Sequence, residues 1–311
     1  MRFESHTLVS ILEHLRKWRE QARPGDLFSF TAPNPDLLGN DYSGKNATFA
    51  EGPVKIRSLR TWIDLAELCH TRMLMPSANG DWANFHFMAL DPRKGPHYDT
   101  QQGQEKYGAS SAFAHIDKRE DPWFVATFMD ALQDVRLKPE DHVMDLGCNR
   151  GDAFALIEKI LGAEPFSKLE LTGIDYAPSA LEQARTRFPD AHFMEADIRN
   201  YASWELNRCD LLLCLGTLQS PELRGKEIFH DLFKKLVAPT GAIVLGFPNV
   251  RYMDGELSYG ARMKNYTQPE KSLLIKDLFH YRRYLQKRGY RVRLHGKYDI
   301  FLIADKPSGT E

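Results

Sequence analysis

The stretch His142-Val-Met-Asp-Leu-Gly-Cys-Asn-Arg-Gly-Asp152 decides the fold of this chain. A short apolar strand, 142–146, runs into a turn that carries Gly147 and Gly151, and a helical pattern follows over 153–161. Strand, glycine turn and helix in this order let the backbone approach a ligand closely. They also direct the free N–H groups of the helix start towards it. The stretch therefore predicts a ligand site inside an α/β domain.

The spacing of the two glycines indicates which ligand binds. A nicotinamide fingerprint reads G-x-G-x-x-G and places a pyrophosphate on the helix N-terminus. Here the spacing is G-x-x-x-G, and Asp145 lies two residues before Gly147. A carboxylate at the strand end would repel a pyrophosphate but could pair with a cationic ammonium. A nicotinamide oxidoreductase is therefore disfavoured.

The segment D-L-G-C-N-R-G resembles motif I of the class I (Rossmann-like) S-adenosylmethionine-dependent methyltransferases. That family usually has D-x-G-x-G-x-G, and Asn149 takes the place of the middle glycine. Asn tolerates a positive φ better than other non-glycine residues, so we expect the turn to be preserved. The resemblance implies a seven-stranded, mostly parallel sheet with helices on both faces and S-adenosylmethionine as cofactor. It also implies cofactor contacts from Asp145, Gly147, Asn149 and Gly151.

Two further acids follow strands at positions that the family uses for the cofactor. Strand 169–174 ends in Asp175, which resembles the residue that holds the ribose diol, with Tyr176 near the adenine. The alternative for Asp175 is a helix cap, since Ala177-Pro178 opens a helix. The segment 192–198 ends in Asp197 and Ile198, and these resemble the residues that read the adenine. A turn-forming Asp is the alternative there.

The run 210–216 (D-L-L-L-C-L-G) is typical of a central parallel strand buried on both faces. Leu215 near its end is expected beside the cofactor, and Thr217 and Gln219 beside the transferred methyl group, because ligands lie at the carboxyl ends of parallel strands. The loop lacks N-P-P-Y, D-P-P-Y and a Pro-Cys pair, which disfavours amide-nitrogen, adenine-N6 and cytosine-C5 methylation. Transfer to oxygen, sulfur, another nitrogen or an activated carbon remains.

The C-terminal part closes the sheet and is basic. Two final strands, 290–295 and 299–304, predict the antiparallel closing pair that separates a methyltransferase sheet from that of a dinucleotide dehydrogenase. For the segment 251–266 we favour a substrate-contacting loop, and for 282–293 a solvated helix and strand surface. The basic and aromatic residues suit a small anionic substrate or, alternatively, RNA. The substrate-contacting candidates in this loop are Arg251, Tyr259 and Lys264.

The first 104 residues form a predicted, mostly helical N-terminal extension before a methyltransferase domain at 105–311. Helices are expected over 3–21 and 59–74, irregular loop over 27–54, and a strand over 84–90. A substrate cap and a purely structural extension are equally favoured. Tyr107 and Phe113 resemble aromatic residues that cover the cofactor in the family, although packing explains each of them equally well.

Whole-chain properties set the remaining limits. The 311 residues carry a formal net charge of −1, which gives no reason to expect non-specific nucleic-acid binding by the chain as a whole. No apolar run of about 20 residues and no signal-like N-terminus is seen, so we expect a cytoplasmic protein without a membrane partner. The four cysteines form no C-x-x-C and are expected to be reduced core residues, with no metal site.

These observations predict an S-adenosylmethionine-dependent methyltransferase that acts by in-line SN2 transfer on a small anionic molecule. An RNA methyltransferase is the alternative, and a non-catalytic S-adenosylmethionine-binding scaffold is the alternative of another class. No general base and no oligomeric state can be named; His115, His230 and His280 are expected to be structural or exposed.

Overall fold

A computed structural model describes residues 1–96, 103–220, 223–260 and 272–307. The chain divides into two compact units by its internal contacts. Unit 1 comprises Met1–Tyr98 and Tyr252–Ser258, and unit 2 comprises Asp99–Arg251 and Tyr259–Glu311. Compared with the predicted division at residue 104, the segment 252–258 is added to the N-terminal unit. No helix among the described residues is long and apolar enough to cross a membrane.

Unit 1 combines two helices with small antiparallel sheets. In its main sheet, β1 pairs with β6 along its whole length, and β4 and β5 also pair with β6. Trp62, Phe30 and Phe85 fill the core below, with the Phe30 and Phe85 rings stacked at 5.2 Å. The elements of unit 1 are α1 (Leu8–Gln21), β1 (Leu27–Pro33), β2 (Lys45–Phe49), β3 (Gly52–Ile56), α2 (Leu59–Leu68), β4 (Thr71–Met73), β5 (Ser77–Asn79) and β6 (Trp82–Ala89).

The helices and the strand near 84–90 are confirmed, but the prediction of a mostly helical extension is wrong. Strand β1 reads L-F-S-F-T-A-P, and its alternate residues Phe28, Phe30 and Ala32 face the core, which is a period-2 pattern. The Gly, Pro, Asn and Asp residues that surround β1, β2 and β3 favoured the interpretation as irregular loop. Helix α2 ends at Leu68, earlier than predicted, because His70 has φ of 52° and turns the chain into β4.

The described part of the segment 251–266, for which a substrate-contacting loop is predicted, begins in a hairpin. Strands β12 (Val250–Met253) and β13 (Glu256–Tyr259) pair across Asp254-Gly255, whose φ values of 47° and 82° are those of a two-residue turn in Asp-Gly hairpins. Within unit 1, Arg72 pairs with Glu256 at 2.5 Å and Lys94 with Asp254 at 2.7 Å.

Unit 2 contains the seven-stranded sheet, and the predicted fold class is confirmed. The strand order is β14-β15-β11-β10-β7-β8-β9, with β15 antiparallel to both of its neighbours. The pairs β11–β10, β10–β7, β7–β8 and β8–β9 are parallel. The strands are β7 (His142–Leu146), β8 (Glu170–Asp175), β9 (His192–Glu195), β10 (Cys209–Leu215), β11 (Val237–Pro248), β14 (Arg291–Gly296) and β15 (Asp299–Asp305).

Helices cover both faces of this sheet. Successive residues of β10 alternate between two hydrophobic clusters: Leu211 and Leu213 pack with Phe128 and Phe154, and Leu212 packs with Phe229. An unbroken apolar run is what a strand covered on both faces requires. The helices are α3 (Pro122–Val135), α4 (Asp152–Leu161), the short α5 (Ala163–Phe166), α6 (Pro178–Arg187), α7 (Gly225–Leu236) and α8 (Ser272–Gln286).

Candidate active site

The glycine turn joins the carboxyl end of β7 to the start of α4. Gly147, Asn149 and Gly151 adopt φ of 82°, 46° and 78°, so the expectation that Asn149 would hold a positive φ is confirmed. The amides of Gly147 and Cys148 donate to the carbonyl of Ile174, the last residue but one of β8. The turn is thereby fixed against the neighbouring strand, and its backbone is open to close approach by a ligand.

A second contact joins the start of the turn to the residues that follow β10. The hydroxyl of Thr217 donates to the Leu146 carbonyl at 3.0 Å. A Cβ added to Gly147 would lie 2.1 Å from the same hydroxyl oxygen, so no larger residue fits there. Thr217 was predicted to contact substrate; in the structure its hydroxyl holds the ends of two strands together, and the substrate contact stays a prediction.

Asp145 is buried at the carboxyl end of β7, with 3% of its surface exposed. Its Oδ1 atom has no hydrogen-bond partner among the described residues. Burial, and after it the charge of Asp175, raises the pKa of this carboxyl to about 7. A buried carboxyl oxygen without a partner costs free energy, and a bound cation or N–H donor would recover it.

Asp175 lies at the end of the adjacent strand and already accepts two backbone hydrogen bonds. Its Oδ2 accepts from the Asn149 amide at 2.7 Å, and its Oδ1 accepts from the Ala177 amide at 2.8 Å. Burial raises the pKa of Asp175, while the amides of Ala177 and Asn149 oppose that rise. Asp175 is not the cap of α6, since the N-cap residue is Ala177 and makes no side-chain capping bond; the ribose contact stays a prediction. Tyr176 is 39% exposed, as a ring that stacks on a ligand should be.

Asp197 follows β9 and is engaged by a neighbour. Both of its oxygens accept from the Arg199 guanidinium, and its Oδ1 also accepts from the Arg199 amide at 2.9 Å. Hydrogen bonds and charge from Arg199 lower the pKa of Asp197 and keep it an acceptor. Ile198 packs partly buried against the adjacent core. The adenine-reading roles of Asp197 and Ile198 stay predictions.

The segment before β7 lies against the glycine turn. The Asn149 side chain donates from Nδ2 to the Tyr107 carbonyl at 2.7 Å. The Tyr107 ring packs at 4.8 Å on Phe113, and it remains 40% exposed. Both aromatic residues that sequence reasoning placed near the cofactor are therefore beside the turn, although whether they cover a ligand stays a prediction.

Four polar residues that the sequence analysis did not select as site residues hold this segment in place. Arg150 donates to the carbonyls of Ala114 and Ile116 and pairs with Asp152 at 2.8 Å. Glu105 accepts from the Ser179 hydroxyl and amide at the start of α6. An arginine inside the turn was the one available signal, but its partners are carbonyls far away in the sequence, which no spacing rule reveals.

The loop after β10 carries a buried amide without partners. Neither Nε2 nor Oε1 of Gln219 has a hydrogen-bond partner among the described residues, and both atoms are buried. Leu215, predicted beside the cofactor, is partly buried at the end of β10 and packs on the core. An amide that can donate and accept, and does neither, points to a polar group of a ligand at this edge.

The remaining predicted substrate residues lie beyond β11. Arg251 is in β12, and Tyr259 ends β13, with its ring centroid 6.4 Å from that of Tyr298. Lys264 lies outside the described residues. The structure thus gives no evidence that brings these three residues together, and their substrate role stays a prediction.

The residues of the glycine turn and of the carboxyl ends of β7 and β8 fit S-adenosylmethionine. The turn offers backbone that approaches closely, Asp145 offers an unpartnered carboxyl oxygen suited to an ammonium, and Asp175 stands one strand away. The two carboxylates beside the turn, of which Asp145 is buried, oppose the binding of a pyrophosphate. The strand order with β15 antiparallel agrees with the fold that the class I methyltransferase resemblance implies, and the acids at the ends of β7 and β8 stand where that resemblance predicts cofactor contacts.

The comparison with known families agrees with this geometry. Residues 137–288 match a family model described as a methyltransferase domain. This part of the chain is therefore similar to a methyltransferase domain.

Trans-aconitate 2-methyltransferase of Escherichia coli O157:H7 (strain EC4115 / EHEC) is 32% identical over 126 residues, which are 39% of this chain and 44% of the relative. The enzyme of the same name from Escherichia fergusonii is 32% identical over 123 residues, with the same shares of both chains. The chain thus matches less than half the length of these relatives.

Solved structures with similarity to the chain include a SAM-dependent methyltransferase from Aquifex aeolicus, at 14% identity and a TM-score of 0.44, covering 66% of this chain and 98% of that one. SAM-bound CalS10, an amino pentose methyltransferase from Micromonospora echinaspora, has 16% identity and a TM-score of 0.41, covering 60% of this chain and 93% of that one.

Proposed function

We propose that this protein transfers a methyl group from S-adenosylmethionine to an oxygen, nitrogen, sulfur or activated carbon of a small anionic molecule. The observation that carries the proposal is Asp145, a buried carboxyl with an unpartnered oxygen at the end of the strand that enters the glycine turn. The methyltransferase family match over 137–288 supports the same reaction class.

The cofactor would be held by residues on both sides of the turn. Asp145 would accept from the ammonium of the methionine part, and the backbone of Gly147 and Gly151 would let the ligand approach. Asp175 would share its oxygens between the backbone amides it already binds and the ribose hydroxyls. Tyr176 and Asp197 would contact the adenine, and Tyr107 would cover the site from the preceding segment.

The acceptor would lie beside the loop that follows β10. When bound, the cofactor would supply an electrophilic methyl group on a sulfonium; the acceptor atom would bond to the methyl carbon as the carbon–sulfur bond opposite breaks and the neutral thioether leaves. The chain's contribution is to hold the acceptor at near-attack distance, which contributes on the order of 7–11 kcal/mol in well-oriented reactions. Gln219 would donate to and accept from the acceptor, and Arg251 and Tyr259 would contact its anionic groups.

The anionic character of the acceptor is supported by a relative and is compatible with the Gln219 amide. Trans-aconitate 2-methyltransferase, by its name, acts on an anion, and it is similar to this chain over 126 residues. A buried Gln219 amide is also a suitable partner for one carboxylate oxygen and one hydroxyl.

The test is transfer of label from methyl-labelled S-adenosylmethionine, incubated with the full chain and either a panel of small di- and tricarboxylic acids or total RNA. We expect label in the carboxylic acid samples. Label only in RNA that ribonuclease releases would favour the RNA alternative. Measurable cofactor binding with no transfer to either would favour the scaffold alternative.

Two Gln219 variants separate an acceptor role from a structural one. Gln219→Leu removes two unpartnered polar atoms, so we expect the free energy of unfolding to be unchanged or to rise by about 1–3 kcal/mol while the acceptor KM rises. Gln219→Glu keeps the size and shape but adds a negative charge, so it should raise KM further. A Leu variant with unchanged KM would remove Gln219 from acceptor binding.

A further inference from the structure

A basic groove runs between α7 and α8 in unit 2, away from the glycine turn. The helices lie side by side in the same direction, as contacts at three levels show. Lys226 pairs with Asp277 at 2.6 Å, and the Nε2 atoms of His230 and His280 lie 3.0 Å apart. Further along, the ring centroids of Phe233 and Tyr284 are 5.7 Å apart. The residues that line this part of the groove are Lys226, His230, Lys276, Phe279, His280, Arg283, Tyr284 and Lys287.

The groove continues around the amino-terminal edge of the sheet. Arg288 stacks 3.5 Å over the Tyr284 ring and lies 6.0 Å from the Phe233 ring, so it joins the two parts. The second part is open to solvent and adds four cationic side chains with no acid among its lining residues. Its lining residues are Arg208, Phe233, Lys234, Val237, Ala238, Pro239, Arg288, Tyr290 and Lys306.

We call the residues that line these two adjoining parts the α7–α8 track. Most of its positive charges have no carboxylate partner within the described part of the protein. Of its cations, only Lys226 forms an ion pair with a carboxylate of the described residues. Two of the others contact uncharged groups: Arg208 donates to the Val237 carbonyl, and Lys306 lies 4.5 Å from the centroid of the Tyr290 ring. Such contacts fix a side chain without removing its charge. For a chain of net charge −1, this is a strong local concentration of positive charge.

Two aromatic side chains line the groove together with these cations. Phe279 is 57% exposed on the lip of the groove, and Tyr284 forms part of its wall. Cationic side chains beside an exposed aromatic ring are the features that bind the backbone and bases of a single nucleic-acid strand. An acidic protein segment would use the charges but not the exposed ring, and a membrane surface is flat and does not need a groove.

One end of the α7–α8 track lies near the loop after β10, where the acceptor is proposed to bind. Gly225, the first residue of α7, packs against the Leu218 carbonyl and the Tyr281 hydroxyl, since a Cβ there would lie 2.2 and 3.1 Å from their oxygens. Leu218 lies between Thr217 and Gln219 in the loop after β10. One end of the α7–α8 groove therefore abuts the loop in which the acceptor is proposed to bind.

We propose that the α7–α8 track binds a single-stranded nucleic acid, through contacts to its phosphates and stacking of a base on Phe279. This binding site is distinct from the cofactor site and does not depend on methyl transfer. The sequence analysis favoured a solvated surface for 282–293, because the order of charges along a chain does not show that they line one groove.

The experiment measures the anisotropy of a fluorescein-labelled 20-nucleotide oligouridine with the full chain, without cofactor, from 50 to 300 mM salt. We expect saturable binding that weakens steeply with salt. The triple variant Lys276→Glu, Arg283→Glu and Lys287→Glu should raise Kd at least ten-fold at 100 mM salt. It should also reduce the salt slope by about 2, because each phosphate that a cation neutralises on a single strand contributes about 0.7 to that slope.

A matched control separates this site from general charge. The variant Lys138→Glu, Lys159→Glu and Arg282→Glu makes the same change in formal charge at residues that do not line the track, and we expect it to retain most of the binding. Circular dichroism and cofactor affinity establish that both variants fold. Absence of oligouridine binding by the wild type, or an equal reduction of binding in both variants, would overturn the proposal. Binding to phosphatidylserine vesicles without oligouridine binding would also overturn it, in favour of a membrane surface.

Discussion

The side chain of Asn149 connects the glycine turn to the segment that precedes β7, through a 2.7 Å hydrogen bond from its Nδ2 to the Tyr107 carbonyl. This residue stands where the family usually has glycine, and it keeps the positive φ that the turn needs. The replacement thus preserves the backbone and adds a hydrogen bond that glycine cannot make. It links the position of Tyr107 to the conformation of the ligand turn.

Asn149→Gly tests that hydrogen bond. Glycine adopts the positive φ freely, so the turn should persist while the bond to Tyr107 disappears. We expect faster hydrogen exchange over 103–121 and cofactor affinity reduced about 2- to 12-fold, which corresponds to a net hydrogen bond of about 0.5–1.5 kcal/mol. Asn149→Ala removes the same bond and adds about 1–2 kcal/mol of left-handed backbone strain, so it should be less stable than the Gly variant. Equal stability of the two variants would contradict this interpretation.

Asp175→Ala should affect both ligand and fold. The Asn149 and Ala177 amides would lose their acceptor, so we expect the free energy of unfolding to fall by about 1–3 kcal/mol. Removal of the proposed ribose partner should also weaken cofactor binding at least ten-fold. Denaturant unfolding and calorimetry measure the two effects separately. Unchanged cofactor affinity in a folded variant would remove Asp175 from the ribose role.

Asp145 predicts a pH dependence of the cofactor-free protein. The folded-state pKa of about 7 lies above the unfolded value of 3.8, so the folded protein binds more protons between these pH values. Stability should therefore fall as pH rises from about 4 to 7, because the charged carboxylate is buried without a partner. Asp145→Asn removes this ionisation. The difference in the free energy of unfolding between the variant and the wild type, both without cofactor, should therefore favour the variant more at pH 8 than at pH 4. Unfolding curves of both proteins at both pH values measure it; a pH-independent difference would contradict the assignment.

Gly147→Ala tests the close approach of the turn to β10. The new Cβ would meet the Thr217 hydroxyl, and φ of 82° would be strained for Ala. We expect a destabilisation of about 1–2 kcal/mol from the backbone alone, and a displaced turn that binds cofactor poorly. Adding Thr217→Ala removes the hydroxyl clash but not the backbone strain, so it should recover only part of the stability. Full recovery by the double variant would show that φ at this position is not constrained.

The sheet could be predicted because its signals are local. Each parallel strand of unit 2 is a short apolar run, and the first ends in a glycine turn followed by a helix, as in 142–161. Parallel pairing then follows from the alternation of strands and helices. The positive φ of Asn149 could also be predicted, since it depends on one residue and its own turn.

What could not be predicted depends on contacts distant in the sequence. Strand β1 is stabilised by pairing with β6, about 50 residues later, and its own surroundings resemble loop. The segment 252–258 belongs to unit 1, where Glu256 and Asp254 pair with Arg72 and Lys94, which lie far away in the sequence. The unpartnered atoms of Asp145 and Gln219 are likewise a property of the folded surroundings, which residue types do not reveal.

The most direct test of the central claim is a calorimetric titration of S-adenosylmethionine into the full chain and into Asp145→Asn at pH 8. We predict single-site binding to the wild type and at least ten-fold weaker binding to the variant, since the ammonium would lose its carboxylate partner. Folded wild-type protein that binds no S-adenosylmethionine, or a variant that binds with unchanged affinity, would contradict the claim.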